Sequence, residues 1–204
     1  DFSVFGLPTG DVEYIVHSGN NLLSYSYDVP QDIDDALPDE VEQNRDRDVS
    51  PLMDAEFDQS GAWNNALSDF GFYGPVGCVA VSMAQIMHYW SYPEQGEGSN
   101  YYMEDDLGML EADFGQTFYD FNNMAATYAT NPSRLLLYHC GIAVNMDYEN
   151  GGSGAQCEGV YPSAEYAMKT FFKYADSIQS VDGDNYTTTE FRNILKNELD
   201  NNKP

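Results

Sequence analysis

The stretch that most constrains the fold is residues 74–90, GPVGCVAVSMAQIMHYW: a turn rich in glycine, one cysteine, then an unbroken run of helix formers and apolar side chains. Val79, Met83, Ile86, Met87 and Trp90 recur at helical spacing, which predicts a helix from Cys78 to Trp90 with one face in a core. Pro93 and the glycines that follow stop it. Cys78 then falls at the helix start, where backbone N–H groups lack an intrahelical acceptor and the positive end of the dipole favours a thiolate. The flanking glycines would let a substrate backbone approach. Free cysteines are nevertheless among the most buried residue types, so position alone favours a core thiol over a nucleophile.

The rest of the chain divides near residue 48. Before it, DVEYIVHSGNNLLSYSYD alternates apolar and polar residues around a Ser-Gly-Asn-Asn turn, a hairpin pattern. An acidic segment with several prolines follows and reads as a linker. Beyond it the pattern is mainly helical. NPSRLLLYHCG predicts a helix with Asn131 as N-cap, Pro132 at its first position and Gly141 as its stop. A further helix is expected after Ser163, running to about residue 175 with Ala164, Ala167, Met168, Phe171 and Phe172 on its apolar side. Thr187 and Glu190 form a capping box ahead of Phe191, Ile194, Leu195 and Leu199.

Charge and length exclude several classes. Thirty-four acidic against eight basic side chains give a net charge of -26, which repels polyanions, so neither nucleic acid nor an anionic membrane surface is an expected partner. No apolar run approaches the roughly 18 residues that span a bilayer. With 42% apolar and 14% aromatic residues in 204, the chain can still build a sizeable core. Cys78, Cys140 and Cys157 cannot all pair, so at least one thiol stays free; a Cys140–Cys157 disulfide remains open. The three histidines are scattered and no Cys-x-x-Cys spacing occurs, so no metal site is expected and no cofactor is implied.

Read as a whole, GCVAVSMAQIMHYWSYP closely resembles the active-site segment of the streptopain family of papain-like cysteine peptidases. Two further stretches follow the family's order: SPLMDAEFDQSGAWNN at 50–65 resembles its entry segment, and CGIAVNMDYENGGSGA at 140–155 resembles its Asp-Met-Asp-Tyr segment with the Gly/Ser-rich loop behind it. The resemblance implies an α+β, papain-like fold, of which residues 49–204 are the mainly helical lobe. It implies Cys78 as nucleophile and Gln59 as side-chain donor of the oxyanion hole, a pairing that suits attack of a thiolate on a peptide carbonyl. It places Ser153 and Gly154 beside an extended peptide substrate. It also implies a secreted enzyme made as a zymogen.

Papain-like chemistry further needs a histidine to move the proton. His88 lies ten residues beyond Cys78 on the same helix, about 15 Å along its axis. His17 and His139 match no catalytic position of the family. The histidine is therefore expected on a companion chain or on a C-terminal lobe absent from this sequence. Residues 1–48 are either a propeptide remnant, to which the hairpin bears a faint resemblance, or an unrelated extension. The competing reading is a non-catalytic binding or assembly module built on the same lobe.

Overall fold

The computed structural model describes residues 50–204. The hairpin and acidic segment read within residues 1–48, and His17, lie outside the described residues. In chain order the described elements are a 3-10 helix at Gly61–Phe70, α1 at Cys78–Trp90, a hairpin of β1 (Ser99–Glu104) and β2 (Gly108–Asp113), α2 (Asn131–Ala143), α3 (Ala164–Thr170) and α4 (Thr188–Asp200), with single 3-10 turns between some of them. The architecture is α+β.

The predicted helix at 78–90 forms with those bounds and buries Val79, Ala80, Met83, Ala84, Ile86 and Met87. It packs on α2, whose Leu136, Leu137, Cys140 and Ile142 are fully buried in the same core. The bounds of α2 differ from the sequence reading at both ends. Its N-cap is Thr130, not Asn131: Thr130 and Ser133 make a reciprocal capping box, which satisfies two otherwise orphaned groups and leaves Asn131 inside the helix. Nor does Gly141 stop it, since the helix runs on to Ala143. A Cβ at Gly141 would collide with the Tyr148 hydroxyl, so the glycine makes room for the buried Tyr148 ring.

The helix after Ser163 is shorter than its pattern suggests. Ser163 caps it through the Tyr166 N–H at 3.1 Å, but α3 ends at Thr170, and Phe171 and Phe172 enter the core from the turn beyond. Thr187 and Glu190 form the capping box that the sequence predicts. The β1–β2 hairpin has no counterpart in the sequence reading. Its strands pair antiparallel with Asn100 opposite Ala112 and Tyr102 opposite Leu110, so Asn100, Glu104, Leu110 and Ala112 face inward. Asn100 is satisfied there by the Ile142 carbonyl and the Asn145 side chain, and Glu104 by the N–H groups of Asp106 and Leu107 at the turn. Among the described residues no helix is long and apolar enough to cross a membrane.

Candidate active site

Cys78 is the first residue of α1 and is half-buried. Its helix has no side-chain cap: Gly77 occupies the N-cap position at φ 96°, a conformation that L side chains rarely adopt. A Cβ there would also lie 2.5 Å from Met146 Sδ and Cε. The first intrahelical bond runs from Val81 N–H to the Gly77 carbonyl, 3.1 Å, so the N–H groups of Cys78, Val79 and Ala80 precede the helical ladder. Burial pushes the Cys78 thiol up, and the N–H groups of Val79 and Cys78 offset part of that rise. The net direction is opposite to the lowering expected from a helix start alone, because burial outweighs it here.

The loop leading into Cys78 is fixed at three successive residues. The Asn64 side-chain amide donates to the Gly74 carbonyl. Ser153 Oγ donates to the Pro75 carbonyl at 2.6 Å. The Val76 N–H donates to the Gln59 carbonyl at 2.7 Å. This last bond brings the Gln59 backbone to a position two residues before Cys78. Gln59 itself is partly exposed and sits in a turn whose flanks are joined by Asp58 Oδ1, which accepts from Ser60 N–H and Oγ, both at 2.9 Å. The preceding residues are tied to α1 as well. Gln85 Nε2 donates to the Ala55 carbonyl at 2.8 Å, and Phe57 packs its ring 5.2 Å from that of His88.

The other wall is the loop from Asp147 to Gly154. These two residues exchange both backbone hydrogen bonds, at 2.9 and 3.0 Å, closing a tight excursion through Gly151 and Gly152. Gly154 is exposed, but its own N–H and C=O are engaged in that bridge. The Ser153 side chain is buried toward Pro75, while its carbonyl lies 3.9 Å from Cys78 Sγ. Asn150 closes the contact from the far side: a Cβ on Gly74 would stand 3.1 Å from Asn150 Cα. Cys78, Gln59 and Ser153 thus converge on one loop, with Gly154 beside them.

His88 Nε2 is 3.1 Å from the Met124 carbonyl. His139 is buried with Nδ1 3.0 Å from the Tyr119 hydroxyl, and burial lowers its pKa to about 4 against an opposing pull from Asp113. All three cysteines are free thiols, so Cys140 and Cys157 are not joined. Cys140 is fully buried beside Met87 Sδ, 3.8 Å away, and burial holds its thiol far above the usual range. The Cys157 thiol is pushed up to about 12 by burial first, then by the nearby Cys78 and Glu158. Sequence reasoning did not single out Asn64, although it lies in the 50–65 stretch that resembles the family's entry segment; that resemblance gives the residue no role.

Comparison with known proteins supplies the class. The description of the Peptidase C10 family matches residues 57–204, and the chain belongs to that family. It is 27% identical to streptopain of Streptococcus pyogenes over 149 residues, which covers 66% of this chain and 36% of the relative. It is also 27% identical over 139 residues to the thiol protease/hemagglutinin PrtT of Porphyromonas gingivalis, covering 63% of this chain and 15% of that protein. The active wild-type interpain A cysteine protease of Prevotella intermedia superposes with a TM-score of 0.62 at 31% identity, covering 74% of this chain and 65% of that one. A mutant fragment of prointerpain A from the same organism gives a TM-score of 0.63 at 29% identity, covering 74% and 51%. The fold is papain-like. The chain spans about a third of the length of streptopain.

Proposed function

We propose that this chain carries the nucleophile side of a secreted cysteine endopeptidase acting on protein or peptide substrates. The observation that carries the reading is the bond from Val76 N–H to the Gln59 carbonyl, which holds the glutamine beside the loop that delivers Cys78 to the start of α1. The Cys78 thiolate attacks the scissile carbonyl, forming a C–S bond while the carbonyl electrons move onto oxygen. The Gln59 side-chain amide and the Cys78 N–H donate to that oxyanion. Collapse expels the amine, which takes the proton first removed from the thiol. Water then hydrolyses the thioester, giving the acid and restoring the thiol. Ser153 and Gly154 border the substrate: exposed Gly154 presents no side chain to an extended peptide, and the Ser153 carbonyl stands next to the sulfur.

The histidine that moves the proton belongs, in this reading, to sequence outside these residues, on a C-terminal lobe or a companion chain. Its approach would also favour the thiolate that burial alone disfavours. The upward shift of the Cys78 thiol equally supports the second reading, a non-catalytic binding or assembly module. Hydrolysis of a fluorogenic peptide separates the two. The peptidase reading predicts that Cys78→Ala abolishes turnover, that Gln59→Ala lowers kcat on the order of a hundredfold, and that an epoxide-type cysteine-protease probe attaches to Cys78. Turnover that survives Cys78→Ala would refute it. Absence of both turnover and probe attachment, with the histidine-bearing portion present, would favour the module.

A further inference from the structure

We propose that Asn64 is a positioning residue for Cys78, acting through the carbonyl of Gly74. The proposal rests on the peptidase reading above and adds a residue to it. Asn64 lies on the 3-10 helix that begins just after the Gln59 turn, and only 4% of its surface is exposed. Its Nδ2 donates to the Gly74 carbonyl ten residues later, at the head of the loop whose next residues are held by Ser153 and Gln59.

Two features separate this bond from ordinary structural glue. The first is what Gly74 tolerates. A Cβ there would meet the Phe72 ring and Asn150 Cα, so the loop has little room to rotate as long as its carbonyl is held by the amide. Loss of the donor removes one of three restraints on a segment that ends at the uncapped Gly77 and the sulfur. The second is the other half of the same amide. Asn64 Oδ1 is buried and has no hydrogen-bond partner among the described residues. A buried acceptor without a partner destabilises the fold; an apolar side chain of similar shape would remove that cost but leave the partly buried Gly74 carbonyl without its donor. The amide therefore acts through its donor to Gly74, on the loop that leads to Cys78.

Positioning has a larger effect on rate than on binding, because a small misplacement of the nucleophile costs about ten- to a hundredfold. The test uses the full chain with its histidine-bearing portion and two variants: Asn64→Leu, which deletes both polar atoms, and Asn64→Asp, which keeps the shape but sets an acceptor against the Gly74 carbonyl. Both are expected to lower kcat about tenfold or more with KM little changed, and to move the pH profile of Cys78 alkylation by iodoacetamide to higher pH. Asn64→Asp should be the more severe. Wild-type kcat and an unmoved pH profile in a folded variant would overturn the proposal. A second measurement needs no variant: in the 15N spectrum of the wild-type protein the Asn64 side-chain amide should be protected from exchange and should shift when Cys78 is alkylated. An amide that exchanges freely and ignores alkylation would overturn it equally. Peptidase activity that persists in Cys78→Ala would instead refute the underlying reading, and wild-type turnover with an inactive Cys78→Ala isolates the result to Asn64.

Discussion

The starts of α1 and α4 solve the same physical problem in opposite ways. At α4, Thr187 accepts from Glu190 N–H while the Glu190 carboxylate accepts from Thr187 N–H and Oγ, at 2.8 and 2.7 Å, so two of the N–H groups at its start are satisfied by its own side chains. Its apolar face meets only a small cluster, Val181 with Phe191, Ile194 and Leu195, apart from the main core. At α1 no side chain caps the helix and the residue in that position is a glycine at positive φ, yet six of its thirteen residues are buried in the main core. Packing and the neighbouring loops hold α1, which leaves its first N–H groups available for chemistry. A helix end that must meet a substrate cannot also be closed by its own side chains.

The largest expected effect follows from breaking the tertiary hold on α1. Gly77→Ala forces a β-carbon into a left-handed backbone and against Met146, and should cost roughly 3 kcal/mol or more by adding strain to overpacking. Urea unfolding measures this, and Cys78 alkylation should slow in the fraction that folds. A change below 0.5 kcal/mol would mean that the loop relaxes freely.

The core region should also respond to acid, in a window set by His139. His139 has a folded pKa lowered to about 4 from an ordinary value of 6.5, so between those limits the unfolded chain binds the extra proton. Its contribution to stability is therefore complete above pH 6.5 and is lost as pH falls toward 4, at roughly 1.4 kcal/mol per pH unit. Chemical denaturation across that window should show the slope, and His139→Gln should flatten it. An unchanged slope in the variant would place the sensitivity elsewhere.

The smallest effect sharpens the contrast from the other side. Thr187→Ala should cost about 1 kcal/mol, and amide exchange should quicken in α4 while α1 and α2 keep their protection. Loss of protection in α1 would show that the two helices are coupled more tightly than their separate clusters imply.

The same contrast explains what the sequence could convey. α1 was legible because its apolar spacing is regular, and α4 because its capping box is a local pattern. The C-terminal end of α2 was not, since Gly141 answers to Tyr148, a residue seven positions on that no local rule connects to it; at its start the Thr130–Ser133 box is local, but Asn131 ahead of Pro132 offers a competing cap. The β1–β2 hairpin escaped notice because two of its inward residues, Asn100 and Glu104, are polar, and their partners Ile142, Asn145, Asp106 and Leu107 were invisible beforehand. At the site, Cys78, Gln59 and Ser153 came from the resemblance of whole segments, and the structure adds the bonds that join those segments. The role of the Ser153 hydroxyl toward Pro75 and the Asn64 bond to Gly74 depend on contacts 78 and ten residues apart; both residues fall in segments that resemble the family's, but neither period nor motif pairs them with the loop before Cys78.

The most direct test of the central claim, that the packing of α1 presents Cys78 for attack while burying the other thiols, is competitive labelling of the native protein with limiting iodoacetamide near pH 6, read residue by residue by mass spectrometry. The account predicts that Cys78 is modified well ahead of Cys157 and that Cys140 stays unmodified until the protein unfolds. Labelling of Cys157 or Cys140 as fast as Cys78 would contradict it.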